Sequence, residues 1–141
     1  LQNMVFGGYN KRVEHPRTEY DWLTRDAKEV DAYIAHPSCG FMATTGLLRD
    51  LLTGIQFIER KENLAKMKKD LPVLFIAGGD DPVGAYGKGV LRAVEEFRKA
   101  GMKDVEKRIF PLGRHEILNE INRQEIYEFT SNWMDRQVEK K

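Results

Sequence analysis

Residues 71–79 read LPVLFIAGG, a continuous apolar run rich in strand-favouring residues and closed by two glycines. A run without polar alternation implies burial on both faces, as in a parallel sheet. A parallel neighbour needs a crossover, and the next segment supplies one. GKGVLRAVEEFRKAG (87–101) places Val90, Val94 and Phe97 on one helical face, with Gly101 as its C-terminal stop. VEKRIFPLG (105–113) reads as a second strand. NRQEIYEFTSNWMDRQV (122–138) reads as a helix with the apolar stripe Ile126, Phe129 and Trp133, and Asn122 with Glu125 has the spacing of a capping box. The order strand–helix–strand–helix predicts a βαβ unit with a right-handed crossover and a trailing helix.

Residues 1–70 have a different style, helical and loop-like without a convincing buried strand. DAKEVDAYIA (26–35) sets Val30, Tyr33 and Ile34 at helical spacing and stops before Pro37. TTGLLRDLLTGIQFIER (44–60) carries Leu48, Leu51, Leu52, Ile55 and Ile58 on one stripe, an amphipathic helix of about four turns. KENLAKMKKD (61–70) reads as a solvated helix end or linker. The expected organisation is α/β: helical segments over 1–70, then a parallel β-α-β-α part over 71–141.

The chain has 141 residues, one domain's worth, of which 41% are hydrophobic and 32% charged. With 23 Lys+Arg against 22 Asp+Glu, the net charge of +1 gives no electrostatic footprint for nucleic acid or an anionic membrane. Cys39 is the only cysteine, so no intramolecular disulfide or cysteine-based zinc site is expected, and a reducing, cytoplasmic location fits. No apolar run reaches the length of a membrane span, and no signal peptide is visible. LQNMVFGGYN (1–10) reads as the middle of a longer sequence, so a fragment or processed product is expected.

In open α/β sheets, functional groups gather beyond the carboxyl ends of the strands. GGDDPVG (78–84) places Asp80 and Asp81 just past the first strand, and PLGRHE (111–116) places His115 just past the second. If the strands are adjacent and parallel, the two loops share one sheet edge, and a carboxylate there can accept from the imidazole Nδ1–H. A carboxylate so placed fixes the tautomer of a histidine, which can then act as a general base with an unperturbed pKa of about 6.5. Asp81 is favoured because the following proline makes a sharp turn, whereas Asp80 is expected to serve the turn itself. Arg114 and Glu116 either fix the histidine loop through an ion pair or contact substrate.

Two other chemistries are set aside. HEILN (115–119) has Asn119 where a zinc-binding HExxH needs its second histidine, so no metal is expected. GKG (87–89) lacks the remaining glycine and the Ser/Thr of a phosphate loop, and no cofactor is implied.

With AGGDDPVGAYGKGV, GRHEILNE and NRQEIYEFTSNWM in hand, the chain resembles the C-terminal half of an α/β-hydrolase, within the lysophospholipase and monoacylglycerol lipase group of serine hydrolases. GGYNKRVEHPRTEYDWLTRD and YIAHPSCGF are similar to that group's cap segments, although His36 stands where relatives usually carry aspartate. The resemblance implies that Asp81 is the catalytic acid and His115 the catalytic base. It also implies a serine in a G-x-S-x-G elbow, yet the only serines, Ser38 and Ser131, lack the flanking glycines. The expected function is therefore the acid–base part of a serine hydrolase of carboxylic, lipid-type esters, without its nucleophile and inactive alone. The expected partners are a small ester or lipid substrate and either the N-terminal half of the same protein or a second copy joined as a homodimer. The alternative is a non-catalytic fragment or interaction module that associates through an open sheet edge.

Overall fold

The computed structural model describes residues 7–140. The first six residues of LQNMVFGGYN (1–10), the stretch read as the middle of a longer sequence, lie outside that range. After a short 3-10 turn at Tyr9–Arg12 come helices α1 (Ala27–Ala35), α2 (Thr45–Ile58) and the single turn α3 (Lys61–Leu64). Strand β1 (Val73–Gly78), helix α4 (Lys88–Lys99), strand β2 (Val105–Phe110), a 3-10 turn (Ile117–Asn119) and helix α5 (Arg123–Glu139) complete the order.

The helix boundaries follow from their caps. Asp26 accepts from the Lys28 N–H at 3.0 Å and starts α1, which stops at His36, extended because Pro37 follows. Thr44 accepts from the Leu47 N–H at 3.1 Å and starts α2. Helix α4 ends in a full Schellman arrangement. Gly101, at φ +91°, donates to Arg98 O at 2.9 Å, and Met102 donates to Phe97 O at 3.2 Å while burying its own side chain. The capping box at α5 does not form. The Asn122 Oδ1 accepts instead from Arg25 Nη2 at 2.7 Å, and its Nδ2 donates to Glu125.

Strands β1 and β2 pair in parallel, from Val73 opposite Val105 to Gly78 opposite Phe110. Successive strand residues point to opposite faces, and two clusters result. Val73 and Phe75 join Val94, Phe97, Met102 and Val105 beneath α4. Ile76 joins Phe110, Ile117, Ile126 and Phe129 beneath α5. A parallel pair flanked by helices is thus the β-α-β unit of an α/β-hydrolase-like fold. Trp133 reaches from α5 to donate to Glu106 of β2 at 2.9 Å.

Helix α2 forms where its periodicity predicts, but its stripe is not buried. Leu51, Leu52, Ile55 and Ile58 are exposed and Leu48 is half-buried, because nothing among the described residues packs over that face. No helix among the described residues is long and apolar enough to cross a membrane.

Candidate active site

The two strand-end loops are sewn together where they leave the sheet. The Gly79 N–H donates to Phe110 O and the Asp80 N–H donates to Gly113 O, both at 2.8 Å. That approach needs glycine. A Cβ on Gly78 would lie 2.1 Å from the Gly113 carbonyl oxygen and 2.3 Å from that of Arg114.

Asp81 follows and is buried. Its Oδ1 accepts from the Val83 N–H at 2.9 Å, across Pro82, so its own turn holds the carboxylate in place. Asp81 thus anchors its own carboxylate, while Asp80 lies, as expected, in the turn that the Asp81 N–H closes onto Gly78 O at 3.4 Å. Beyond it the backbone swings through three consecutive left-handed residues, Ala85, Tyr86 and Gly87, at φ +51°, +57° and +82°. The Tyr86 N–H closes this turn onto Asp81 O at 2.8 Å, and the Arg12 guanidinium lies 3.6 Å above the Tyr86 ring centre.

The histidine loop takes its shape from residues 21–25. The His115 N–H donates to Trp22 O at 3.3 Å, and the Glu116 N–H donates to Leu23 O at 2.7 Å. The Arg114 Nη1 donates to Asp21 O at 2.7 Å and Thr24 O at 3.1 Å. Arg114 thus fixes the loop through backbone carbonyls, and among the described residues it makes no ion pair. Glu116 accepts from Asn119 Nδ2 at 2.8 Å and closes the 3-10 turn.

These constraints place the His115 Nδ1 3.1 Å from Asp81 Oδ1. With the Nδ1–H tautomer, the imidazole donates to the carboxylate and keeps Nε2 as its basic nitrogen. The hydrogen bond to Asp81 raises the His115 pKa above its ordinary value, outweighing burial, which lowers it; the charges of Asp81 and Glu116 add to the rise. The Trp22 ring covers the imidazole with centroids 5.2 Å apart, and Tyr9 packs edge-on to Trp22 at 4.9 Å. Burial, and then the Asp81 charge, pushes the Tyr9 phenol up.

The two serines and the lone cysteine lie elsewhere. Ser38 and Cys39 sit in the turn after α1, where their N–H groups donate to His36 Nδ1 at 3.2 Å and His36 O at 3.0 Å. Ser131 is exposed on α5. Among the described residues, no hydrogen bond joins His115 to a serine or cysteine, and no group of three or more His, Cys, Asp or Glu could hold a metal.

Two contributors escaped the sequence. Trp22 has no motif that marks it as a neighbour of His115. Glu120 is completely buried, a state no residue spacing announces.

Residues 4–122 match the family described as serine aminopeptidase, S33. A search of curated proteins found no match. Among solved structures, a highly thermostable carboxyl esterase from Bacillus coagulans, in complex with glycerol, superposes with a TM-score of 0.78 at 29% identity, covering 94% of this chain and 44% of that one. A lipase in its open form gives a TM-score of 0.78 at 26% identity, covering 95% of this chain and 44% of that one. The chain therefore spans less than half the length of these two relatives. With the family matched over most of its length and its superposition on an esterase and a lipase, the chain belongs to the serine aminopeptidase S33 family of α/β-hydrolases.

Proposed function

We propose that Asp81 and His115 are the acid and base of a Ser–His–Asp triad in a hydrolase of carboxylic esters. The observation that carries this is the 3.1 Å contact between Asp81 Oδ1 and His115 Nδ1, made at the ends of adjacent parallel strands. His115 Nε2 takes the proton of an attacking serine and passes it to the leaving alkoxide, while Asp81 holds the ring and stabilises the imidazolium. The serine belongs to a G-x-S-x-G strand–helix turn, a motif these 141 residues do not contain, and the oxyanion hole to the residue after that serine and an earlier strand–helix loop. The uncovered length of the solved relatives leaves room for it.

Esters are favoured over amides because the two solved relatives are named an esterase and a lipase. Lipid esters of the monoacylglycerol or lysophospholipid class fit best, since α2 presents an apolar face able to receive an acyl chain. On this account residues 1–70 are the cap and residues 71–141 part of the catalytic core. The outer edges of β1 and β2 are unpaired among the described residues, so a serine-bearing half or a second copy of the chain completes the sheet.

A second reading, a non-catalytic module that binds through the same edges, is favoured only by those edges and the bare α2 face.

The test is hydrolysis of a short p-nitrophenyl ester by the 141-residue chain beside its His115→Ala variant. Equal inertness is expected, because the nucleophile is not in this chain. Turnover that depends on His115 would place a nucleophile within it, at Ser38 or Cys39, and overturn the account of a divided triad.

A further inference from the structure

Glu120 is a charged side chain with no exposure, five residues beyond His115, and the triad makes no use of it. Burying a carboxylate is costly unless it is fully hydrogen-bonded, and here it is. Oε1 accepts from the Arg114 N–H at 2.8 Å and the Arg25 N–H at 3.3 Å. Oε2 accepts from Arg25 Nε at 2.8 Å and the Ile121 N–H at 3.2 Å.

The donors bear directly on His115. Arg114 is the residue before it, so Glu120 pins the backbone that aims the imidazole. Arg25 closes the 21–25 segment, which contributes the Trp22 carbonyl to the His115 N–H and the Trp22 indole to the ring. The Thr24 hydroxyl ties that segment to Asn119 O at 2.9 Å, and Arg25 Nη2 reaches Asn122 Oδ1 at 2.7 Å. One carboxylate thus joins the two segments between which the imidazole is held, and Asp81 lies on the third side.

We propose that Glu120 is a positioning residue for His115, whose buried carboxylate couples the Arg114 backbone to Arg25 and so keeps the imidazole aimed at Asp81. This rests on the reading of His115 and Asp81 as a catalytic pair. The titratable groups facing the imidazole are Asp81 from the β1 loop and Glu116 from its own loop, with Tyr9 beyond Trp22. Glu120 is not among them, so its influence passes through geometry. A packing role alone would predict loss of stability with His115 unchanged.

The experiment follows the imidazole 15N resonances of His115 by NMR, from about pH 5 to pH 9 across the ordinary histidine range. It uses the wild-type chain and the variants Asp81→Asn, Glu120→Gln and Arg25→Lys. Asp81→Asn should lower the His115 titration midpoint, because it removes the hydrogen bond and the charge that raise it. Glu120→Gln and Arg25→Lys should move it the same way and mix the ring tautomers. Arg25→Lys keeps the positive charge but loses the planar fork, and it decides the matter if Glu120→Gln does not fold.

Folded Glu120→Gln and Arg25→Lys variants with a wild-type His115 titration would overturn the proposal. Loss of the fold in both would overturn it too, by assigning the pair to folding alone. If Asp81→Asn itself leaves His115 unmoved, the catalytic pairing falls as well, so the two failures are distinguishable.

Discussion

Gly78 and Gly113 meet backbone to backbone, with the Gly113 carbonyl oxygen 2.1 Å from where a Gly78 Cβ would stand. Neither partner is a flexible side chain that could swing away. Gly78→Ala should therefore separate the Asp81 and His115 loops and destabilise the chain by about 3 kcal/mol, the upper part of the usual overpacking range. Gly54→Ala is the opposite case, since a Cβ there meets nothing within 4 Å in the middle of α2. It should stabilise the helix by about 0.8 kcal/mol, the difference between glycine and alanine in a helix interior. Urea unfolding of both variants checks the contrast.

The raised pKa of His115 has a defined consequence for stability. A group whose folded pKa lies above its unfolded value stabilises the protein fully below the unfolded value, about 6.5 for histidine, and loses that contribution as pH rises through the folded pKa. Asp81→Asn should thus cost more stability at about pH 5.5 than at pH 9, by about 1 kcal/mol or less after solvent screening of a half-exposed ring. If His115 is the proposed base, the sign reverses in catalysis: it works when neutral, so ester hydrolysis by a form joined to the serine-bearing unit should rise with pH through the raised His115 pKa. Chemical denaturation at the two pH values checks the first sign, and a pH–rate profile checks the second.

Asp21 should govern acid sensitivity in the segment that shapes the histidine loop. Burial alone would raise its carboxyl, but hydrogen bonds from the Thr18 hydroxyl and the backbone N–H groups of Arg17 and Thr18 overcome it and hold the pKa below the ordinary range. Its contribution is present above the unfolded carboxylate value of about 3.9 and is lost as pH falls through the folded pKa. Asp21→Ala should cost about 2 kcal/mol at neutral pH, with three donors left without their acceptor. The difference from wild type should begin to shrink below about pH 4, where the carboxyl of the unfolded chain protonates, and vanish below the lower folded pKa. Thermal melts at the two pH values check this.

The parts of the fold that lie in local sequence were legible. LPVLFIAGG and VEKRIFPLG became paired strands, and Gly101 ended its helix because only local backbone geometry was needed. Asp81 and His115 could be brought to one edge because parallel strands end on one side. What was not legible depends on contacts across the chain. Arg25 and Glu120 are 95 residues apart, and no periodicity links them. The same distant arginine takes the Asn122 oxygen and so undoes the capping box that local spacing implied. The stripe of α2 announced a helix correctly, but periodicity does not say what covers an apolar face.

The most direct test of the divided triad is hydrolysis of a short p-nitrophenyl ester by a longer polypeptide that joins these 141 residues to an upstream G-x-S-x-G strand–helix unit. Turnover should appear only in the joined form, and both His115→Ala and Asp81→Asn should lower kcat by about three to four orders of magnitude. Turnover that survives His115→Ala, or a folded joined form that hydrolyses no ester, would contradict the assignment of Asp81 and His115 as its acid and base.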